Sequence, residues 1–232
     1  MRILAIETST LAGGAALLDG DRLVGEHVIN VCATHSERLL AAVDGLLGEA
    51  CWVPEDLEGL AVAVGPGSFT GLKIGVSTVK GLALALGIPV AAVSTLEALA
   101  WVLPFARAAV CPVLDAKKGE VYTALFHWEG ERLVRDWDDT ALSPGLLVGR
   151  LSGPVTFVGD GVIAYGTFFQ EQLGGRATIA PPARRLPSPA CVGQIGHGRL
   201  LGGEWIDPRL LTPHYLRPSE AELRRRRGVA VH

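Results

Sequence analysis

The chain has 232 residues, enough for one large or two small domains with a sizeable core. A net charge of −3 excludes a protein that binds nucleic acid through its overall charge, and 49% hydrophobic residues with 29 glycines and 6% aromatics suit a sheet-and-helix protein with tight turns. The four cysteines (Cys32, Cys51, Cys111 and Cys191) are widely spaced without a CxxC, which argues against a disulfide framework or a thiolate zinc site and for reduced cytosolic thiols.

Met1-Arg2-Ile3-Leu4 runs directly into a strand pattern, without the layout of a signal peptide. The longest uncharged run, between Lys80 and Glu97, is interrupted by Gly87 and Pro89 and is too short to span a bilayer, so a cytoplasmic protein without membrane contact is expected. The first strand, Ile3 to Ile6, ends at Glu7-Thr8-Ser9-Thr10. A second strand covers Ala15 to Leu18, Asp19-Gly20-Asp21 reads as a hairpin turn, and Leu23 to Ile29 is a third strand. Thr34-His35-Ser36-Glu37 forms a capping box for a helix with Leu39, Leu40, Val43, Leu46 and Leu47 on one face. Pro54 to Glu58 is a polar connection, and Leu60 to Val64 is a strand buried on both faces.

Gly65-Pro66-Gly67-Ser68-Phe69-Thr70-Gly71 follows, with Thr70 as a cap for a helix to about Leu86. Backbone amides at a helix start attract phosphate, but this turn fits neither GxxxxGK[ST] nor GxGxxG, since Thr70 stands where the third glycine should be. A tight strand-to-helix turn is the competing interpretation. Within the helix, Gly71, Gly75 and Gly81 each cost about 1 kcal/mol relative to alanine, so another backbone is expected close by. The helix's only charges are Lys73 and Lys80, and its apolar residues spread over more than one side. Pro89 to Val93 is a strand, and Ser94-Thr95-Leu96-Glu97 opens a helix that ends before Pro104.

After Phe105 the pattern restarts. Ala109 to Leu114 is a strand ending in Asp115, Ala116-Lys117-Lys118-Gly119 is a turn, and Glu120 to Trp128 and Arg132 to Val134 are strands. Pro144 to Leu151 (helix), Val155 to Val158 (strand), Val162 to Leu173 (helix) and Pro189 to Leu201 (helix) follow. Ile3 to Val24 and Cys111 to Val134 share one order of strand, acid, glycine turn, strand, hairpin and strand, which is a repeat at domain scale. Two such units, 1–103 and 104–232, describe an α/β protein of actin-like ATPase (ASKHA) architecture. It would have two duplicated RNase H-like domains with mixed sheets flanked by helices, and Glu7 and Asp115 would face the cleft between them.

ILAIETST at 3–10, THSERLL at 34–40, GPGSFTGLKIG at 65–75, IPVAAVSTLEALA at 88–100, LDAKKGEVY at 114–122 and HYLRP at 214–218 together resemble the bacterial TsaB (YeaZ) family over nearly the whole chain. The resemblance implies a role in forming threonylcarbamoyladenosine at adenosine 37 of tRNAs that read codons beginning with A. It implies a non-catalytic partner of the paralogue TsaD, which transfers the threonylcarbamoyl group and carries the metal. It also implies help in recruiting the ATPase TsaE, tRNA contact through the complex, and a homodimer when alone. The partner contact would use the first two helices, at His35, Ser36, Leu39, Leu40, Val43 and Leu47 and at Gly71, Leu72, Gly75, Val76 and Val79. Family members often carry Asp at the Glu7 position and Arg at the Lys73 position; Lys73 keeps the charge but loses the planar fork.

Histidine spacing argues against a metal. His35 is followed four residues later by Leu39, no HxxxH or HExxH occurs, and His27, His127, His197, His214 and His232 are scattered. Glu7, Thr8, Ser9 and Asp115 form a candidate nucleotide cleft, yet Thr8 and Ala116 stand where a glycine after the acid would make room for phosphate. No cofactor is expected beyond a weak or interface-shared nucleotide. The competing interpretation is an ATP-dependent enzyme, an ATPase or small-molecule kinase, using Glu7 and Asp115. Ser68 fails the GxSxG elbow pattern, Cys111 falls within a strand, and Arg224 to Arg227 is either a solvated end or a contact to tRNA phosphate.

Overall fold

A computed structural model describes residues 1–30 and 35–217, with the backbone alone at 35–37. Cys32, Thr34 of the capping box, Pro218 of HYLRP, Arg224 to Arg227 and His232 lie outside the described residues. The first unit contains β1 (Arg2–Glu7), β2 (Ala12–Asp19), β3 (Arg22–Asn30), α1 (His35–Glu49), β4 (Gly59–Gly65), α2 (Phe69–Leu86), β5 (Val90–Ser94) and α3 (Thr95–Trp101). The second contains β6 (Ala109–Asp115), β7 (Val121–Glu129), β8 (Arg132–Leu142), α4 (Pro144–Arg150), β9 (Val155–Val158), α5 (Gly161–Leu173) and β10 (Ala177–Ile179), and α6 (Pro189–Leu201) follows.

The sheets run β3-β2-β1-β4-β5 and β8-β7-β6-β9-β10. In each, the first three strands are antiparallel and the remaining pairs parallel, so the duplicated RNase H-like order is present in both. Alternation along the strands sends side chains to two covered faces. Leu4, Ile6, Leu60 and Val62 pack with Leu39, Val43, Val76 and Val79 of α1 and α2. Ile3, Ala5, Ala61 and Ala63 face the opposite way, toward Val192, Ile195 and Leu200 of α6 and Ala98 of α3. Leu96 and Leu99 of α3 join the inner face of the second sheet, and α4 and α5 cover its outer face. The layers are therefore helices, sheet, helices, sheet, helices, the actin-like arrangement.

A division at 103/104 separates the two sheets, yet α6 comes from beyond it and lies on the first. Small residues on both partners bring α6 close: a Cβ on Gly196 would lie 2.3 Å from that of Ala61, and one on Gly193 would lie 2.3 Å from Leu18 Cδ1. Glu97 of α3 ties α6 to the second sheet, pairing with Arg199 at 2.6 Å and with Arg135 at 3.8 Å. Asp139 of β8 pairs with Arg135 and accepts from Ser94 Oγ at 2.8 Å.

Three local features differ from expectation. β8 extends to Leu142, well past Val134, because its run of charged residues belongs to an edge strand, where charges are tolerated and block further pairing. β10 has only three residues, too few to show alternation. The cap of α2 is Ser68 rather than Thr70: Ser68 Oγ accepts from the Gly71 amide, and Thr70 already lies in the first turn.

Candidate functional site

In open α/β sheets a ligand crevice forms beyond the carboxyl ends of the parallel strands. Here β1 delivers Glu7 to that edge, with its side chain 0% exposed. Glu7 Oε1 accepts from the Ser9 amide, while Oε2 and Ser9 Oγ have no partner among the described residues. Burial pushes the carboxyl up to about 7, against the smaller opposing effect of the Ser9 and Thr8 polar groups beside it. Thr8 Oγ1 donates to the Gly71 carbonyl at 2.8 Å, and the Ser68 amide donates to the Ser9 carbonyl at 2.6 Å.

The glycines of the β4–α2 turn follow from this contact. A Cβ on Gly67 would sit 2.4 Å from Ser9 O, and one on Gly71 would sit 2.0 Å from Thr8 O. The turn therefore packs backbone to backbone on the β1–β2 loop. Its Ser68 and Gly71 amides are already taken, by Ser9 O and by Ser68 Oγ, and do not point at an open anion cradle. Glu7, Thr8 and Ser9 of the candidate cleft are all closed off from solvent.

Asp115 stands at the equivalent edge of the second sheet. Partial burial raises its pKa, but hydrogen bonds from Lys117 N at 2.8 Å and Lys117 Nζ at 2.7 Å, with the lysine's charge, outweigh it and hold the carboxyl below its ordinary value. Asp160 Oδ1 accepts from the Asp115 amide, and burial raises the Asp160 carboxyl. Each acid is thus held within its own unit, and no hydrogen bond or ion pair joins Glu7 to Asp115 among the described residues. No group of three or more His, Cys, Asp or Glu among those residues could hold a metal ion. Cys111 is buried beside Thr123 Oγ1, and burial pushes its thiol up to about 12, which leaves it inert.

The outer helices separate the expected interface residues into two groups. Leu39, Val43, Leu47, Leu72, Val76 and Val79 are buried in the chain's own core, so their side chains are not available to another molecule. Gly71 and Gly75 are explained inside the chain as well. Gly71 meets the Thr8 carbonyl, and a Cβ on Gly75 would lie 2.3 Å from Thr8 Oγ1. The nearby backbone that these glycines require is the β1–β2 loop. Leu40 remains outward at 57% exposure, while the side chains of His35 and Ser36 lie outside the described residues.

Besides Lys73 and Gly81, which the sequence pattern already marked, the outward stripe holds residues that it did not single out. Arg38, Ala41, Asp44, Gly45 and Gly48 of α1 are exposed, as are Lys73, Ser77, Gly81 and Leu84 of α2, with Leu84 at 55%. A Cβ on Gly45, Gly48 or Gly81 would meet nothing within 4 Å. The polar and small residues recurring at 73, 77 and 81 were the available signal for this stripe. By length and composition α2 could pass for a membrane span, but its inner face is packed on the sheet and it carries Lys73 and Lys80.

A C-terminal segment crosses the crevice mouth. After α6, Ile206 bridges to Val90, and Lys80 Nζ donates to the Arg209 carbonyl. The His214 amide then donates to the Val64 carbonyl at 2.7 Å, beside Gly65, which has a φ of 127° and where an added Cβ would lie 2.4 Å from His214 O, so there is no room for a side chain. Tyr215 stacks on Phe69 with ring centroids 4.4 Å apart, and Lys73 Nζ lies 4.4 Å from the centre of the same Phe69 ring. Arg217 forms an ion pair with Glu120 of the β6–β7 turn.

A family model described as "TsaD: tRNA N6-adenosine threonylcarbamoyltransferase" matches residues 30–224. The tRNA threonylcarbamoyladenosine biosynthesis protein TsaB of Bacillus subtilis (strain 168) is 36% identical over 226 residues, covering 96% of each chain. The protein of the same name from Escherichia coli (strain K12) is 33% identical over 223 residues, 90% of this chain and 93% of that one. Among solved structures, YeaZ from Pseudomonas aeruginosa superposes with a TM-score of 0.78 at 28% identity, over 93% of this chain and 99% of that one. The activator of the 2-hydroxyisocaproyl-CoA dehydratase from Clostridium difficile shares the fold, with a TM-score of 0.50 at 9% identity over 88% of this chain and 97% of that one.

Proposed function

The chain belongs to the TsaB (YeaZ) family of tRNA threonylcarbamoyladenosine biosynthesis proteins, and from that premise we propose that it is the non-catalytic scaffold of the threonylcarbamoyl-transfer machinery in the cytoplasm. It docks a TsaD-type catalytic paralogue on the outer face of α1 and α2, helps recruit a TsaE-type ATPase, and meets tRNA through the assembled complex. Alone, it pairs with a second copy through the same face.

The observation that carries this reading is the set of outward glycines. Gly45, Gly48 and Gly81 lie inside two neighbouring helices, where each costs about 1 kcal/mol relative to alanine, and nothing among the described residues uses the space they leave. Close approach of a second backbone does use it. Gly145, Gly149 and Gly198 are similarly open on other helices. On α1 and α2, however, the glycines coincide with exposed Leu40 and Leu84 and with the two helices that the family resemblance implicates. The sealed Glu7-Thr8-Ser9 loop speaks against the competing reading of an ATP-dependent enzyme.

Light scattering on a sizing column tests the proposal, with the chain alone and then mixed with the TsaD-type protein of the same source. A homodimer that gives way to a one-to-one mixed complex is expected, and Leu40→Asp combined with Gly81→Leu should abolish both associations while the far-UV spectrum is unchanged. Separate elution of the two wild-type proteins, with and without nucleotide, would overturn the scaffold assignment.

A further inference from the structure

The crevice mouth between the two units is occupied by the chain itself, and the contacts made there lie on both sides. On the first unit, the His214 amide is hydrogen-bonded to the Val64 carbonyl near the end of β4 and Tyr215 is stacked on Phe69, the first residue of α2. On the second, Arg217 is paired with Glu120, whose amide closes the β6–β7 turn onto the Lys117 carbonyl at 3.2 Å. That turn is narrowly built: Lys117 and Lys118 have φ of 60° and 57°, and Gly119 has φ of 79°. In a two-unit α/β molecule this is the place where a bound ligand would hold the halves together.

We propose that Leu211–Arg217 is an intramolecular clasp that sets the closure of the two units, performing the bridging that a crevice ligand would otherwise supply. Four residues span the distance, with a hydrogen bond and an aromatic stack at one end and an ion pair at the other. Glu97, Arg135, Asp139 and Arg199 form a second set of contacts between the units, reaching the first sheet through Ser94, which pairs with Gly65 beside the clasp's first anchor. The first anchor also lies at the start of α2, one turn before the exposed Lys73, which shares the Phe69 ring with Tyr215. Displacing Tyr215 therefore frees the second unit's turn from a position on the first unit.

Amide hydrogen exchange on the full chain tests this by reading each anchor from the other side. Tyr215→Ala alters only the first-unit anchor. It should raise exchange of the 116–121 turn in the second unit at least tenfold, as Arg217→Ala should directly. Arg209→Ala is the control: it removes an exposed pair with Asp207 in the same C-terminal region and should leave that turn unchanged. Glu120→Gln supplies the reciprocal arm and should raise exchange at 65–71, so the test survives if Tyr215→Ala fails to fold. Exchange confined to the mutated side in both directions would overturn the clasp, leaving a segment that merely packs on each unit separately.

Discussion

Glu7 holds its whole side chain out of water, with one oxygen on the Ser9 amide and the other unpartnered among the described residues. Its ordinary pKa of 4.5 rises to about 7 because burial disfavours the charged form. Between those two values the folded chain binds more protons than the unfolded one. Stability therefore falls as pH climbs through that window, and the penalty is complete above about 7. Glu7→Gln keeps the acceptor for Ser9 and removes the charge. It should raise stability near pH 8 by about 1–3 kcal/mol and flatten the pH dependence of urea midpoints across the window. A slope unchanged by the substitution would mean that Glu7 does not titrate there. The sequence displayed the acid at the end of its strand but not its burial, since that depends on the β4–α2 turn closing over it from some 60 residues away.

Helix α2 shows which properties of an element are legible in its sequence. Its span followed from apolar periodicity and from Gly87, which ends it in the left-handed conformation at φ 69°. The strands of both sheets other than β10 followed from short apolar runs bounded by turn residues. Which of its glycines face inward was not legible. Gly71 and Gly75 face inward to Thr8 while Gly81 faces open space, and that distinction is set by where β1 ends. It gives opposite expectations for one type of substitution. Gly75→Ala forces a Cβ onto Thr8 and should destabilise the monomer by about 1–3 kcal/mol. Gly81→Ala meets nothing and should stabilise it by roughly 0.5–1 kcal/mol while weakening partner docking. Urea denaturation read alongside sizing-column association separates the two, and equal effects at both positions would contradict the phase described here. The same limit applies to α6: its boundaries were readable from the sequence, but the sheet that it covers was not.

At the scale of the molecule, the repeat visible in the sequence is the repeat of the sheets, and the chain crosses between the halves more than once. It leaves the first unit after α3, builds the second, and returns with α6 and the clasp. A fragment of residues 1–103 would expose Ile3, Ala5, Ala16, Leu18, Ala61, Ala63, Ala91 and Val93, the face that α6 covers. Circular dichroism and solubility of that fragment should show it unfolded or aggregated; a cooperative, soluble fragment would show that the first unit stands without its returning helix. The same geometry has a consequence in time. During synthesis the last strand of the first sheet leaves the ribosome about a hundred residues before the helix that covers it, on the order of 5–20 s at ordinary elongation rates. For that interval an alanine-rich apolar face is open, and whatever shelters it, a chaperone or the half-made second unit, is a requirement for the native assembly written into the chain's connectivity.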